Sequence, residues 1–423
     1  MSGIATYASP VRIWLTQTLS RQAMLAWGVV GFGLFFVVYQ KVVLLQWDFA
    51  VYYTAAKALA EGGAPYDPSH LLSVAKEEGG NPYGGLPFLY MPLFARLLYP
   101  LTWLSFLDAA WVWFCLKCLA LEFILAATVF LIPLPRTLWS WGLLHGAALG
   151  FAPFSHDLTT GNIAIFEFAF LMGFFWAWRS GYAWLAGAAL LVFSIPKGFP
   201  LLWGVYPYAL RQKRLLGWIG GWIGVGVGLA CLDWHSTSQW WAFYRGPEWA
   251  MLWDDMVQGY FNCSSTSVIL RIFTETYLTH PLLPFPAVTP VLIPLIPVSI
   301  LALMAWAVQK ESQREGFYPT QASVIALLLP GFLLLPPRLA GYSLSLVYFT
   351  LIYCVVSAWR GKRWGVFALI GLGMGLIQIH LPPDHLPLGW PQLLIDKDFW
   401  GLLILFFTAW ILSRAPQKSK SAP

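Results

Sequence analysis

Apolar and polar positions along this chain alternate in long blocks, unlike the short periods of a soluble fold. A first apolar run, residues 23–45, is long enough to cross a bilayer. From Asp48 the pattern becomes helical and amphipathic. Tyr52, Ala55, Ala56 and Leu59 share one face, and Lys57 and Glu61 lie on the other. Gly62-Gly63 ends that helix, and Pro65 and Pro68 forbid its resumption. A polar, Gly/Pro-rich stretch follows to Tyr90, with a helix-like piece over 70–78.

Further apolar runs cover residues 93–104, 111–131, 138–153, 163–178 and 184–210. The last is broken by Ser194-Ile195-Pro196-Lys197-Gly198-Phe199-Pro200, a pattern of two short helices meeting at a polar cavity. A Gly-rich run over 215–232 leads into a second long polar segment, 233–281. That segment holds Trp234, Trp240, Trp241, Trp249 and Trp253 and reads as interfacial. Apolar runs at 282–308, 324–335, 343–358, 366–380 and 399–412 complete the chain.

Composition agrees with this pattern. Of 423 residues 58% are hydrophobic and 10% charged, where a soluble domain carries roughly a quarter charged. The expected fold class is an all-α polytopic membrane protein of about 11 to 13 transmembrane helices. It forms one transmembrane domain over 1–413, followed by a basic tail, 414–423. Arg179, Arg211, Lys213, Arg214 and the basic groups at 310–314, 360–363 and 414–420 fall on one side, as cytoplasmic loops do. Both termini are then cytoplasmic, and loops 46–90 and 233–281 external (periplasmic), in a multi-pass protein of the plasma (inner) membrane. Parity requires one run between the first loop and Arg179 not to cross, and the short 93–104 run is the expected one. The net charge of +6 follows from these loops, so no nucleic-acid partner is expected. Cys115 and Cys118 form a C-x-x-C inside an apolar helix without a second pair, which gives no metal or redox motif.

This topology gathers Asp48, Arg96, His156, Asp157, Asn162, Lys197, Asn262 and Arg338 at the external face. Ionisable groups at membrane depth point to function. The stretch from Asp48, D-F-x-x-Y-Y-x-A-A-x-A-L-x-x-G-x-x-P-Y-D, resembles the first external loop of glycosyltransferase family 87. Tyr90-Met91-Pro92-Leu93-Phe94, Gly161-Asn162-Ile163, the break around Pro196-Lys197 and Asn262-Cys263-Ser264 resemble further family motifs. The segment 337–342 departs from it. The resemblance implies a GT-C fold with interfacial helices after the first span. It also implies a polyprenyl-phosphate-sugar donor, with mannose as the family default.

The chemistry can be argued beside the resemblance. Glycosyl transfer needs a base for the acceptor hydroxyl and stabilisation of the leaving oxygen. A phosphate leaves without a proton, so one carboxylate and one cation suffice, where a glycosidase needs two carboxyl groups. Asp48 has no acidic neighbour within helical reach, which fits a metal-free, cofactor-free reaction. Asp48 is the candidate base, with Lys197, Arg338 and Arg96 as candidate phosphate ligands. Tyr52, Tyr53, Asn162 and Asn262 are the candidate substrate contacts. Plainer readings stand beside each: a helix cap for Asp48, a snorkelling chain for Lys197, a solvated turn for Arg338, belt aromatics for the tyrosines. Asp254-Asp255 and Asp396-Lys397-Asp398 adjoin helix starts, and His380 and His385 lack a third ligand. The expectation is an inverting transferase acting on a lipid or glycan acceptor among membrane lipids. A flippase or transporter for lipid-linked sugars is the alternative.

Overall fold

The computed structural model describes residues 20–78, 86–132, 134–259, 262–276, 279–314, 317–379, 381 and 390–414. Most of the basic tail, and His380 and His385, lie outside the described residues. Among them the elements are helical, and an antiparallel bridge pairs Asn262 with Ala340. The helices are α1 (Arg21–Tyr39), α2 (Trp47–Ala60), α3 (Pro68–Glu77), α4 (Pro92–Leu97), α5 (Phe106–Leu131), α6 (Leu138–Leu149) and α7 (Ala152–Thr160). Next come α8 (Ala164–Arg179), α9 (Ala183–Ser194), α10 (Val205–Ala209), α11 (Lys213–Leu232), α12 (Trp234–Arg245) and α13 (Pro247–Gln258). The chain ends with α14 (Ser265–Phe273), α15 (Thr289–Ser312), α16 (Ala322–Leu333), α17 (Val347–Arg360), α18 (Trp364–Gln378) and α19 (Lys397–Ser413).

Local chemistry sets several boundaries. Asp67 accepts from the Ser69 amide at 2.9 Å and Pro68 fixes the first helical φ of α3. Ser105 caps α5 and its hydroxyl donates to Asp108 at 2.6 Å. Pro294 and Pro297 lie inside α15, as membrane helices tolerate.

Among the described residues five helical stretches are long and apolar enough to cross a membrane: Gln22–Val43, Phe106–Leu131, Lys213–Leu232, Pro286–Ser312 and Gly341–Arg360. The pair α7 and α8, bent by 119°, makes six if it counts as one span. The protein is therefore an all-α polytopic membrane protein, and helix length alone supports fewer crossings than the eleven to thirteen expected. The shortfall has a local cause: α9, α16 and α18 are apolar but under 18 residues, being stopped by turns and 3-10 segments. The 93–104 run forms only the short α4 and a 3-10 turn, Tyr99–Trp103, both packed on α2.

One expectation needs correcting. Helix α2 is buried nearly all round, from Phe49 to Leu59 except Lys57, so it is no half-exposed surface helix. The first loop folds back over it, with α3, α4, α5 and α7 packed on its sides. By contrast α1 leaves Leu25, Val29 and Val37 mostly exposed, a lipid-facing pattern. The two halves of the chain meet where α7 and α8 pack on the 3-10 turn Gly341–Leu346.

Candidate active site beside the first span

Asp48 occupies the first turn of α2, where the helix dipole favours a carboxylate, and it remains partly exposed. Its partner comes from the sharp turn between α7 and α8. Gly161 adopts φ +74°, the left-handed region, and a Cβ there would lie 2.8 Å from the Cβ atoms of both Gln46 and Phe49. Only glycine allows that turn to lie against the start of α2. Trp113 Nε1 fixes it by donating to the Gly161 carbonyl at 2.8 Å. Asn162 follows, with Oδ1 accepting from the Ala164 amide at 3.2 Å. Its Nδ2 donates to Asp48 Oδ2 at 2.9 Å and to the Tyr52 hydroxyl at 3.1 Å. Tyr52 and Tyr90 share a hydroxyl hydrogen bond of 2.9 Å, which carries the network to a cleft beyond. Gly161→Ala is expected to cost about 1–3 kcal/mol through overlap with α2. Thermal unfolding in detergent checks this, and unchanged stability would refute the packing argument.

A fully buried ion pair lies behind the turn. Lys117, on α5, contacts the Asp157 carboxylate and also donates to the Asp157 carbonyl. The same carboxylate accepts from the Ile165 amide at 3.2 Å. Asp157 thus holds the start of α8 while Lys117 holds Asp157, and Asn162 sits in the turn between. Burial pushes the Asp48 carboxyl above its ordinary value; the Asn162 amide, the Lys117 charge, Thr160 and the Lys197 charge oppose the shift.

The adjoining cleft encloses about 400 Å³ and is lined by Tyr90, Glu167, Lys197, Arg338 and Tyr342, with Trp203 and Phe332 deeper in. Trp240, Tyr244, Trp249 and Trp253, from α12 and α13, line another part of it. Lys197 is presented by the turn after α9, where Gly198 takes φ +67°. Its Nζ lies 3.0 Å from both oxygens of Glu167. Arg338 is exposed, and among the described residues it has no carboxylate within ion-pair distance.

The loop carrying Arg338 is tied down by Asn262-Cys263-Ser264. Asn262 Nδ2 donates to the carbonyls of Val257, at 2.9 Å, and Pro337, at 3.1 Å. Its Oδ1 accepts from the amides of Leu339 at 2.8 Å and Ser264 at 3.1 Å. The Cys263 amide donates to the Leu339 carbonyl at 2.7 Å, and Ser264 Oγ to that of Pro337 at 2.7 Å.

These contacts sort the expected residues. Asp48, Asn162 and Tyr52 form one network; Lys197 and Arg338 line the cleft that Tyr90 joins to it. Asn162 meets the carboxylate rather than open space. Asn262 has spent both donors and both acceptor positions on backbone, so it is a loop staple instead of a sugar contact. Tyr53 points away: its hydroxyl bridges Glu78 at 3.0 Å and the Leu104 carbonyl at 2.8 Å, which anchors α2. Arg96 pairs with Asp233 at 2.7 Å, which ties α4 to the end of α11, so it is not a free phosphate ligand. Asp396 is in a buried pair with Arg271, and Lys397 with Asp398. Among the described residues no group of three His, Cys, Asp or Glu is placed to hold a metal ion. Lys117 and Glu167 went unremarked in the sequence, although Glu167 is the lone charge of its apolar run and Lys117 shares its run only with Glu122. That is the signal that finds them.

Fold and site together define a polytopic helical membrane protein with a carboxylate network and a cationic, aromatic cleft. Residues 88–337 match the family model of glycosyltransferase family 87, more than half of the chain. The chain belongs to that family and is a glycosyltransferase, and its helical architecture is consistent with the GT-C type. The matched segment contains Asn162, Glu167, Lys197 and Asn262 and ends just before Arg338; the Asp48 motif precedes it. No curated protein and no solved structure matches the chain.

Proposed function

We propose that this glycosyltransferase moves a hexose or pentose, with mannose as the reference case, from a polyprenyl-phosphate donor to a hydroxyl of a lipid or glycan acceptor. The site faces the outside of the plasma membrane, with both termini in the cytoplasm. The observation that carries the reading is the pairing of roles: one oriented carboxylate, Asp48, and one cation without a carboxylate partner among the described residues, Arg338. Asp48 takes the acceptor proton as the acceptor oxygen attacks the anomeric carbon. The phosphate leaves from the opposite face, which inverts that carbon, and Arg338 binds its oxygens. Such a leaving group needs no proton and no metal.

The aromatic side chains of α12 and α13 give the cleft an apolar wall suited to the first isoprene units of the donor. Membrane reconstitution tests the reading. Purified protein in liposomes is expected to transfer sugar from polyprenyl-phosphate-mannose, or another polyprenyl-phosphate sugar, in the presence of EDTA. It should not use a nucleotide-diphosphate sugar. Transfer from the nucleotide donor alone, or loss of transfer on chelation, would overturn the donor assignment.

A further inference from the structure

We infer that Glu167 is the residue that reads a hydroxyl of the transferred sugar, and that Lys197 is its counter-ion rather than a phosphate ligand. The inference rests on the polyprenyl-phosphate-sugar reading above and deepens it. Glu167 lines the cleft, with its side chain only 8% exposed, while Lys197 above it is 32% exposed. Lys197 Nζ donates to Oε2 at 3.0 Å. It is as close to Oε1, but without hydrogen-bond geometry, and Oε1 has no hydrogen-bond partner. A buried carboxylate oxygen without a hydrogen-bond donor, on a residue that lines the cleft, is an acceptor left to be satisfied. A phosphate brings no donor and repels the carboxylate, whereas a sugar hydroxyl supplies the donor.

Position supports the same assignment. Glu167 lies in the first turn of α8, whose preceding turn carries Asn162, so one short segment both orients Asp48 and presents Glu167. Tyr90 lies within the electrostatic reach of both carboxylates. A sugar whose anomeric carbon is beside Asp48 and whose phosphate is near Arg338 therefore has its ring against this part of the cleft. The lysine supplies the counter-charge to the carboxylate, and a carboxylate–hydroxyl bond is stronger than a neutral one.

The test uses reconstituted protein, the polyprenyl-phosphate sugar it transfers best, and the monodeoxy analogues of that donor. Wild-type protein should reject one analogue by about 10- to 100-fold in kcat/KM, the range of a charged hydrogen bond. Glu167→Gln should lose most of that discrimination while rejecting the other analogues as before. Lys197→Met should be impaired more than the Glu167→Gln/Lys197→Met double variant, because the double variant leaves no uncompensated carboxylate. If Glu167→Gln alone fails to fold, the neutral double variant carries the same deoxy-donor readout. An active wild-type protein whose variants keep the full deoxy profile overturns this inference alone. Wild-type protein inactive with every polyprenyl-phosphate sugar overturns the donor reading and this inference with it.

Discussion

Asp48→Asn is expected to lower sugar transfer by about 10²- to 10⁴-fold, the usual contribution of a positioned base. By transition-state arithmetic that is about 3–5 kcal/mol of barrier. The substitution keeps size and shape, and the new amide oxygen can still accept from Asn162, so the thermal unfolding midpoint should move little. Loss of activity with the fold intact separates a base from a helix cap, since a cap acts through stability. The wild-type pH profile adds a second reading. Transfer needs the ionised carboxylate, and burial raises the Asp48 pKa. As pH falls, activity should therefore decline at a higher pH than for an ordinary aspartate. Transfer by Asp48→Asn at the wild-type rate would remove Asp48 from the chemistry.

Breaking the buried pair behind the turn should have the largest effect on stability. Lys117→Met leaves the Asp157 carboxylate buried without its counter-charge, which costs about 3–5 kcal/mol. Against the marginal stability of most proteins, such a loss shows as poor yield and early unfolding. Lys117→Met/Asp157→Asn should recover most of it, because the asparagine oxygen still accepts from the Ile165 amide and no charge is left stranded. Chemical or thermal unfolding of the single and double variants checks this. A double variant no better than the single would show that the pair acts otherwise than by mutual compensation.

Much of the architecture was legible because block hydropathy identifies helices whatever packs around them. The helix beginning near Asp48 and its stop at Gly62, where φ is +76°, follow from local rules. The burial of α2 does not, since it depends on later segments, α3, α4, α5 and α7, packing over it, and its own pattern reads as amphipathic. Counting spans by helix length gives a lower number than counting apolar runs for a related reason. Apolar runs show where chain can enter a membrane, not where turns such as that at Gly198 divide it. In the site, Asp48, Lys197 and Arg338 were legible as charges out of place. Asn162 was legible as a polar residue, but its partner was not, because that contact joins residues far apart in sequence. Asn262 was misjudged on the same ground. A side chain able to bind sugar is equally able to bind backbone, and only the geometry of the 337–339 segment decides between them. Glu167 and Lys117 were overlooked through averaging, since their runs are dominated by Phe, Leu and Trp.

The tight turn at Gly161 also bears on how the protein is made. It joins positions 114 residues apart, Asp48 and Asn162, whereas the staple joining Asn262 to Leu339 spans 77 residues much later in the chain. During synthesis Asp48 and the Asn162 amide can meet as soon as α8 has emerged. Arg338 follows only after α15 and α16 have been inserted. A chain stopped between those two events would hold an assembled carboxylate network with no Arg338 facing it.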